Sequence, residues 1–215
     1  MLFKKNETIV FVGDSITDCD RKKPEGEGTS AYNPLGTGFV NLMYGYLHSQ
    51  YPQLHLRIIN QGISGNRSRD LCARYDEILN LQPDWIFLMI GVNDVWRLFD
   101  CPEVDYLHVG VNDFRRNVED MIIRTGKTKS KLIILSPFMM ETNLSDQMRK
   151  KLAEYQAVLK ELSAKYSLPF IDIQKAFDKV LSDITYHEMS RDRVHPNIVG
   201  HMIIMKTIMD YAEGN

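Results

Sequence analysis

Several features are scarce in this 215-residue sequence, and each scarcity excludes a class of protein. The chain has three cysteines, an odd number with no Cys-x-x-Cys pair, which disfavours a disulfide framework. We therefore expect Cys19, Cys72 and Cys101 to be reduced thiols. The chain also lacks a basic excess, since 26 basic residues stand against 28 acidic ones. This balance predicts that the protein binds neither nucleic acid nor a membrane surface.

Long apolar runs are missing as well. The longest, residues 85–90, has the length of a strand and is far shorter than the roughly 18 residues of a membrane span. The N-terminus shows no signal-peptide pattern, because the first apolar run, residues 9–12, is short and follows two lysines and a glutamate. We expect a cytoplasmic protein. The phosphate-loop motif and the dinucleotide-binding Gly-x-Gly-x-x-Gly motif after the first strand are also absent.

An alternation of apolar runs and amphipathic segments is present throughout the chain. Short runs rich in Ile, Val and Phe predict strands at residues 8–12, 56–60, 85–90, 132–136 and 170–173. Helices are predicted at about residues 38–50, 68–79, 109–125, 146–166 and 198–212. This order predicts a single α/β domain over residues 1–215, with a parallel sheet covered by helices on both faces. Ligands of such sheets bind beyond the carboxyl ends of the strands.

Polar residues follow the first three predicted strands and precede the last helix. Their sequences are Gly13-Asp14-Ser15, Gln61-Gly62-Ile63, Gly91-Val92-Asn93-Asp94 and Asp192-Arg193-Val194-His195. Each segment alone is weak evidence, because glycine, asparagine and aspartate are common in turns and helix caps. A single histidine is more often structural than catalytic.

Together, these residues contain the parts of an acyl-transfer site. Ser15 is a nucleophile once a base removes its proton, and His195 is the candidate base. Asp192 lies three residues earlier, so one tight turn brings its carboxylate to the imidazole Nδ1. The backbone N–H groups of Ser15 and Gly62 and the side-chain amide of Asn93 are the candidate donors to an oxyanion.

This set resembles the four sequence blocks of the SGNH, or GDSL-like, hydrolase family. Ser15 stands in the first block, Gly62 in the second, Asn93 in the third, and His195 with Asp192 in the last. The resemblance implies a flavodoxin-like three-layer α/β/α sandwich with a five-stranded parallel sheet. Like members of this group, the chain is expected to use neither a metal nor another cofactor.

The similarity extends to the bacterial intracellular acetylxylan esterases and covers essentially the whole chain. It is carried by residues 24–28, 35–38, 60–66, 91–97, 192–196 and 200–202. It implies a serine esterase that removes acetyl groups from xylo-oligosaccharides and that self-associates into a homo-oligomer. The segment 31–34 is the part that fits this comparison least well.

Two long loops, residues 19–36 and 95–108, are predicted beyond the strand ends, where lids and binding walls occur. Trp96 and Tyr106 are candidates for stacking on a sugar ring, and Arg97 for bonding its hydroxyls. Trp96 packing as local core is an equal alternative. Asp14 is assigned to the substrate-binding set and is also expected to brace the turn before Ser15.

Two other functions remain open from the sequence. The same chemistry suits a thioesterase, a lysophospholipase or an esterase for another small ester. A non-catalytic sugar-binding protein on a flavodoxin-like sheet is less favoured, because a binder does not need a complete set of serine, glycine, asparagine, aspartate and histidine.

Overall fold

The structure is a computed structural model that describes residues 1–22 and 34–214. Of the expected loop 19–36, residues 23–33 lie outside the described residues, and so do residues 24–28 and 31–33 of the resemblance.

Five parallel strands form one sheet. They are β1 (Thr8–Gly13), β2 (Arg57–Gly62), β3 (Trp85–Met89), β4 (Lys131–Leu135) and β5 (Phe170–Ile171), in the order β2-β1-β3-β4-β5. The parallel five-stranded sheet predicted from the sequence is confirmed. Strand β5 is shorter than expected because Asp172 ends it and caps the next helix, its Oδ1 accepting from the Lys175 N–H at 3.0 Å.

The central strands are buried on both faces, as their apolar composition requires. Every residue of β3 is at most 5 % exposed. Phe11 of β1 and Phe87 of β3 stack across the sheet with their ring centroids 5.0 Å apart. This rigid centre holds the carboxyl ends of β1 and β3 side by side.

The described part of the chain contains nine α-helices. They are α1 (Ser15–Asp18), α2 (Phe39–Gln50), α3 (Ser68–Ala73), α4 (Tyr75–Leu79), α5 (Val92–Asp100), α6 (Val111–Thr125), α7 (Gln147–Lys165), α8 (Ile173–Val180) and α9 (Ile198–Glu213). Helix α9 packs on α2 and α8, while α6 packs on α3 and α7, and α7 packs on α5. The sheet lies between these two groups, so the three-layer α/β/α fold is confirmed. Among the described helices, none is both long enough and apolar enough to cross a membrane.

Three helical segments differ from the prediction. The helix predicted at residues 68–79 is broken at Arg74, whose guanidinium donates to Asn66 Oδ1 and to the Gln61 carbonyl, each at 2.8 Å. The loop predicted at residues 95–108 is wrong, because α5 continues to Asp100 and a 3₁₀ turn covers Asp105–Leu107. No helix is predicted where α8 lies, because the strand predicted at residues 170–173 includes the first residue of this helix.

The sheet order has a switch point between β1 and β3. From β1 the chain runs outward to β2, and it then returns to place β3 on the other side of β1. Loops that follow β1 and β3 therefore diverge and leave a crevice at the carboxyl edge. Ser15 follows β1 and Asn93 follows β3, so both stand at this crevice.

Candidate active site

The nucleophile candidate begins a short helix directly after β1. Asp14 is the residue before α1, and its Oδ1 accepts the Ile16 N–H at 3.0 Å. This cap fixes the turn between β1 and α1. Ser15 is therefore the first helical residue, and its side chain is partly exposed at the strand edge.

A chain of hydrogen bonds joins three residues that are far apart in the sequence. Ser15 Oγ lies 2.9 Å from His195 Nε2, and His195 Nδ1 lies 2.7 Å from Asp192 Oδ2. An ionised carboxylate only accepts, so the neutral imidazole carries its hydrogen on Nδ1. Nε2 is then an acceptor, and the Ser15 hydroxyl donates to it. This is the geometry of a serine activated by a general base.

Asp192 is held as an anion by the turn in which it lies. Its Oδ1 accepts the His195 N–H at 2.8 Å and the Val194 N–H at 3.0 Å. Partial burial acts to raise the pKa of Asp192, but the hydrogen bonds from the His195 side chain and from these backbone groups outweigh it and lower the pKa to about 2. The carboxylate therefore stays charged at neutral pH and faces the imidazole.

Three predicted substrate-binding residues, apart from Asp14, differ in their surroundings. The Trp96 ring centroid lies 5.4 Å from that of His195. The Arg97 guanidinium bonds the Asp100 carboxylate and stands 5.8 Å from the Trp96 ring centroid. The Tyr106 side chain is 74 % exposed, and its carbonyl accepts from Arg69. Sugar contacts by Trp96, Arg97 and Tyr106 stay predictions, and Trp96 also packs against the hydrophobic core, as the alternative interpretation of this residue expects.

Asn93 stands in the first turn of α5 and is almost fully buried. Its Nδ2 donates one hydrogen to the Asn66 carbonyl at 3.0 Å. The second hydrogen on Nδ2 remains for another acceptor. Asp94 anchors the same turn by accepting from the Ser68 N–H at 2.9 Å and from its hydroxyl at 2.5 Å. Burial raises the pKa of Asp94 to about 6, although these bonds from Ser68 lower it.

The structure contradicts the assignment of Gly62 as an oxyanion donor. Its N–H donates to Asn60 Oδ1 at 2.9 Å, and a Cβ at this position would meet the Asp18 nitrogen at 2.2 Å. Asn60 also donates from Nδ2 to the Thr17 carbonyl at 2.7 Å. Gly62 is therefore glycine because α1 packs directly on its Cα, and its N–H is used to hold Asn60. The sequence signal for this was the asparagine two residues before the glycine.

Gly65, three residues after Gly62, has the exposure and the open surroundings that an oxyanion donor needs and that Gly62 lacks. Gly65 is exposed, with φ of +80°, and open space surrounds the position of a Cβ. Within residues 1–22 and 34–214 its N–H has no hydrogen-bond partner. Its neighbours are anchored, since the Ser64 N–H donates to Asp18 Oδ2 at 2.9 Å and the Asn66 carbonyl accepts from Asn93. Gly65 thus lies between the segments anchored to α1 and to α5, with an N–H that no described residue accepts.

Asp14 does not have the exposure that substrate binding requires. Its side chain is 1 % exposed and is used by the cap on α1, so its assignment as a substrate-binding residue is wrong. Its expected role in bracing the turn fits the structure. Burial raises the pKa of Asp14 to about 7, although the Ile16 N–H and the charge of His195 act to lower it.

This raised pKa predicts a pH-dependent effect of Asp14→Asn on stability. The unfolded pKa is near 3.8 and the folded pKa about 7, so the folded state binds the proton more tightly. The stability contributed by the protonated form is complete below pH 3.8 and is lost as the pH rises through 7. Asparagine keeps the cap oxygen and cannot ionise. The unfolding free energy of Asp14→Asn relative to wild type, from urea titrations, should be higher at pH 8 than at pH 5. An equal difference at both pH values would contradict the assignment.

A cavity of about 460 Å³ opens beside the His195–Asp192 pair. Its other lining residues include His187, Arg191 and Asn197. In the parts of the chain that the structure describes, no three His, Cys, Asp or Glu side chains are grouped so as to hold a metal ion. All three cysteines are free thiols. The site thus combines a hydrogen-bonded serine, a cavity beside its histidine and a set of N–H donors.

Comparison with known proteins identifies relatives with the same architecture. The model of the GDSL-like lipase/acylhydrolase family matches residues 11–203. An acetylxylan esterase of Geobacillus stearothermophilus is 39 % identical over 210 residues, which are 97 % of this chain and 95 % of the relative. The crystal structure of Axe2, an acetylxylan esterase of the same organism, matches with a TM-score of 0.95 at 38 % identity, covering 99 % of this chain and 96 % of that one.

Two further findings concern solved structures. An α/β hydrolase enzyme named LAE5, from the metagenome of Lake Arreo, matches with a TM-score of 0.95 at 35 % identity, covering 100 % of this chain and 98 % of that one. Structures of Axe2 also include three catalytic mutants. In these, alanine replaces a serine at position 15, an aspartate, and a histidine three positions after the aspartate. Ser15, Asp192 and His195 stand in the same order here, and the histidine again follows the aspartate by three positions.

Proposed function

The chain belongs to the GDSL-like lipase/acylhydrolase family and is a serine esterase, and we propose that it removes acetyl groups from xylo-oligosaccharides, with Ser15, His195 and Asp192 as its catalytic residues. The observation that carries the catalytic assignment is the continuous hydrogen-bonded chain from Ser15 Oγ through His195 to Asp192.

The reaction begins when the substrate ester lies over Ser15. Ser15 Oγ attacks the acetyl carbonyl carbon while His195 Nε2 takes the hydroxyl proton. Asp192 stabilises the imidazolium and keeps Nε2 directed at the serine. The tetrahedral intermediate then expels the sugar oxygen, which receives the proton from His195. Water attacks the acetyl-enzyme while His195 Nε2 takes its proton. The second tetrahedral intermediate then releases acetate, and His195 returns the proton to Ser15 Oγ.

In this proposal, three N–H donors stabilise the oxyanion of each intermediate. They are the backbone N–H groups of Ser15 and Gly65 and the second hydrogen on Asn93 Nδ2. Gly65 replaces Gly62 here, because its N–H has no partner among the described residues and its neighbours are bonded to the elements that carry Ser15 and Asn93. A donor of this kind is typically worth about 10² to 10³ in kcat.

The chemistry of the cavity favours a carbohydrate ester over a lipid. The leaving group of an acetylated sugar is rich in hydroxyls, and the cavity beside His195 is lined by the His187 and Arg191 side chains. A lysophospholipase would need an apolar wall for its acyl chain. The similarity to an acetylxylan esterase over 97 % of the chain supports the same substrate. The expected cytoplasmic location and homo-oligomer stay predictions.

Acyl-chain selectivity is the measurement that tests this substrate assignment. We expect acetate release from acetylated xylo-oligosaccharides. We also expect a kcat/KM for 4-nitrophenyl acetate at least about 10-fold above that for 4-nitrophenyl octanoate, because each methylene that does not fit a small acyl pocket weakens transition-state binding. Comparing the rates on an acetyl ester and on an acetyl thioester distinguishes an esterase, which prefers the ester, from a thioesterase, which prefers the thioester. A preference for acyl chains beyond about four carbons would contradict an acetylesterase and favour the lipid alternative.

A further inference from the structure

The turn that carries Asp192 and His195 is closed at its base and fastened at its tip. At the base, Ser190 and Pro196 form an antiparallel bridge, and the Asn197 N–H donates to the Met189 carbonyl at 2.6 Å. At the tip stands Arg193, with φ of 67°, in the left-handed region. A residue other than glycine persists there only when the surrounding contacts hold it.

The contacts of Arg193 lead to a different segment of the chain, the loop between β4 and α7. The Arg193 carbonyl accepts the Met140 N–H at 2.7 Å. Its guanidinium Nη1 bonds Glu141 Oε2 and lies 3.4 Å from Asp146 Oδ2. One residue therefore ties the tip of the turn to this loop by its backbone and by two carboxylates.

Both carboxylates are held in place independently of Arg193, because the other oxygen of each accepts a hydrogen bond from a nearby backbone N–H. Glu141 Oε1 accepts the Asn143 N–H at 2.8 Å, and Asp146 Oδ1 accepts the Arg149 N–H at 2.9 Å as the cap of α7. The Glu141 side chain is 14 % exposed and the Asp146 side chain 23 % exposed. The anchor is thus a preorganised anionic pair rather than two mobile surface acids.

We propose that Arg193 is a positioning residue of the esterase: its pairing with Glu141 and Asp146 holds the turn so that Asp192 and His195 stay in register with Ser15. The inference rests on the proposed function of this site. Arg193 contacts neither the reacting atoms nor the imidazole. It acts through the backbone of the turn, which also carries Asp192 and His195. Bonds of 2.7 and 2.9 Å along the catalytic chain tolerate little displacement, and a shift of about 1 Å can cost about 100-fold in rate.

The test is a comparison of Arg193→Gln, Arg193→Lys and Glu141→Gln with wild type on 4-nitrophenyl acetate. We expect Arg193→Gln to lower kcat about 10- to 100-fold with KM within about 2-fold, because the substrate contacts are unchanged. Arg193→Lys keeps a cation near both carboxylates and should recover most of kcat. The double variant Arg193→Gln/Glu141→Gln should be no slower than Arg193→Gln, since both changes break one interaction.

A spectroscopic readout separates positioning from general stability. The downfield proton signal of His195 Nδ1–H, which reports its short bond to Asp192, should weaken in Arg193→Gln. Arg115→Gln is the matched control, because the Arg115 side chain is 38 % exposed, against 35 % for Arg193, and it also pairs with a carboxylate, on α7. That variant should keep both kcat and the signal.

A kcat for Arg193→Gln equal to that of Arg115→Gln would overturn the proposal. If Arg193→Gln does not fold, Glu141→Gln and Arg193→Lys carry the test, and unchanged kcat and an unchanged His195 signal in Glu141→Gln would overturn it equally. Failure of the proposed function is distinct, since it would show as hydrolysis that does not depend on Ser15.

Discussion

Ser15→Ala is expected to lower kcat/KM for acetate release by about 10⁴- to 10⁶-fold without lowering Tm. The hydroxyl is the nucleophile, and no other group in the hydrogen-bonded chain can form the acetyl-enzyme. The fold should not change, because Ser15 Oγ bonds the partly exposed His195 and its removal leaves no buried polar group unpaired. Acetate assays on acetylated xylo-oligosaccharides and thermal unfolding of both proteins measure the two quantities.

Ser64→Ala provides the matched control for this loss. Ser64 is an exposed serine close to the site, and the hydrogen bond that it donates to Asp18 comes from its backbone N–H. We expect wild-type activity from it. Full activity of Ser15→Ala would contradict the mechanism. Ser15-dependent hydrolysis of a simple aryl acetate, with no release from the oligosaccharides, would retain the serine esterase and exclude the xylan substrate.

Asp192→Asn is expected to lower kcat about 10⁴-fold at neutral pH. An asparagine side chain directs either an amide N–H or a neutral oxygen at His195, so the imidazole loses the charged acceptor that keeps its hydrogen on Nδ1. The Asn oxygen can still accept from Val194 and His195, and the turn should persist. Initial rates on 4-nitrophenyl acetate measure the loss, and Asp105→Asn, at a fully exposed carboxylate, is the control.

The stability of the same variant should depend on pH in a direction opposite to that of Asp14→Asn. The folded pKa of Asp192, about 2, is below the unfolded value near 3.8, so the folded state prefers the carboxylate. The stability that it contributes is present above pH 3.8 and is lost as the pH falls through 2. The difference in unfolding free energy between wild type and Asp192→Asn should therefore become smaller as the pH falls from 4 to 2.

A kcat for Asp192→Asn equal to that of wild type would contradict the role of Asp192, because it would show that another group fixes the tautomer of His195.

Much of the architecture follows from local pattern. The apolar runs that form β1 to β4 are each long enough and apolar enough to be buried on both faces, and the sheet then follows from the alternation with helices. Residues that follow parallel strands share one edge, which is why local sequence alone places Ser15 and Asn93 in one site. Where local pattern is ambiguous, as in the apolar start of α8, it does not distinguish a strand from a helix.

The error at Gly62 has a different cause. Gly62 ends β2 and Gly65 follows three residues later, and Asn60 is the one local signal in the sequence for which N–H is already bonded. The Asn60 side chain turns back to accept from Gly62 and reaches across to Thr17. By contrast, the sequence gives no reason to expect Asp14 to be buried, because its burial follows from the packing of α1 against the sheet.

The serine-esterase chemistry of this protein follows from its sequence alone: a serine, an aspartate and a histidine stand in fixed order, on a parallel sheet whose strand ends must converge. Residue type and strand periodicity are local properties, and they are sufficient for that. Packing between distant segments sets which carboxyl is buried and how the catalytic turn is held. The bonds from Asn60 to Thr17 and from Arg193 to Glu141 join residues more than 40 positions apart, so no local pattern contains them.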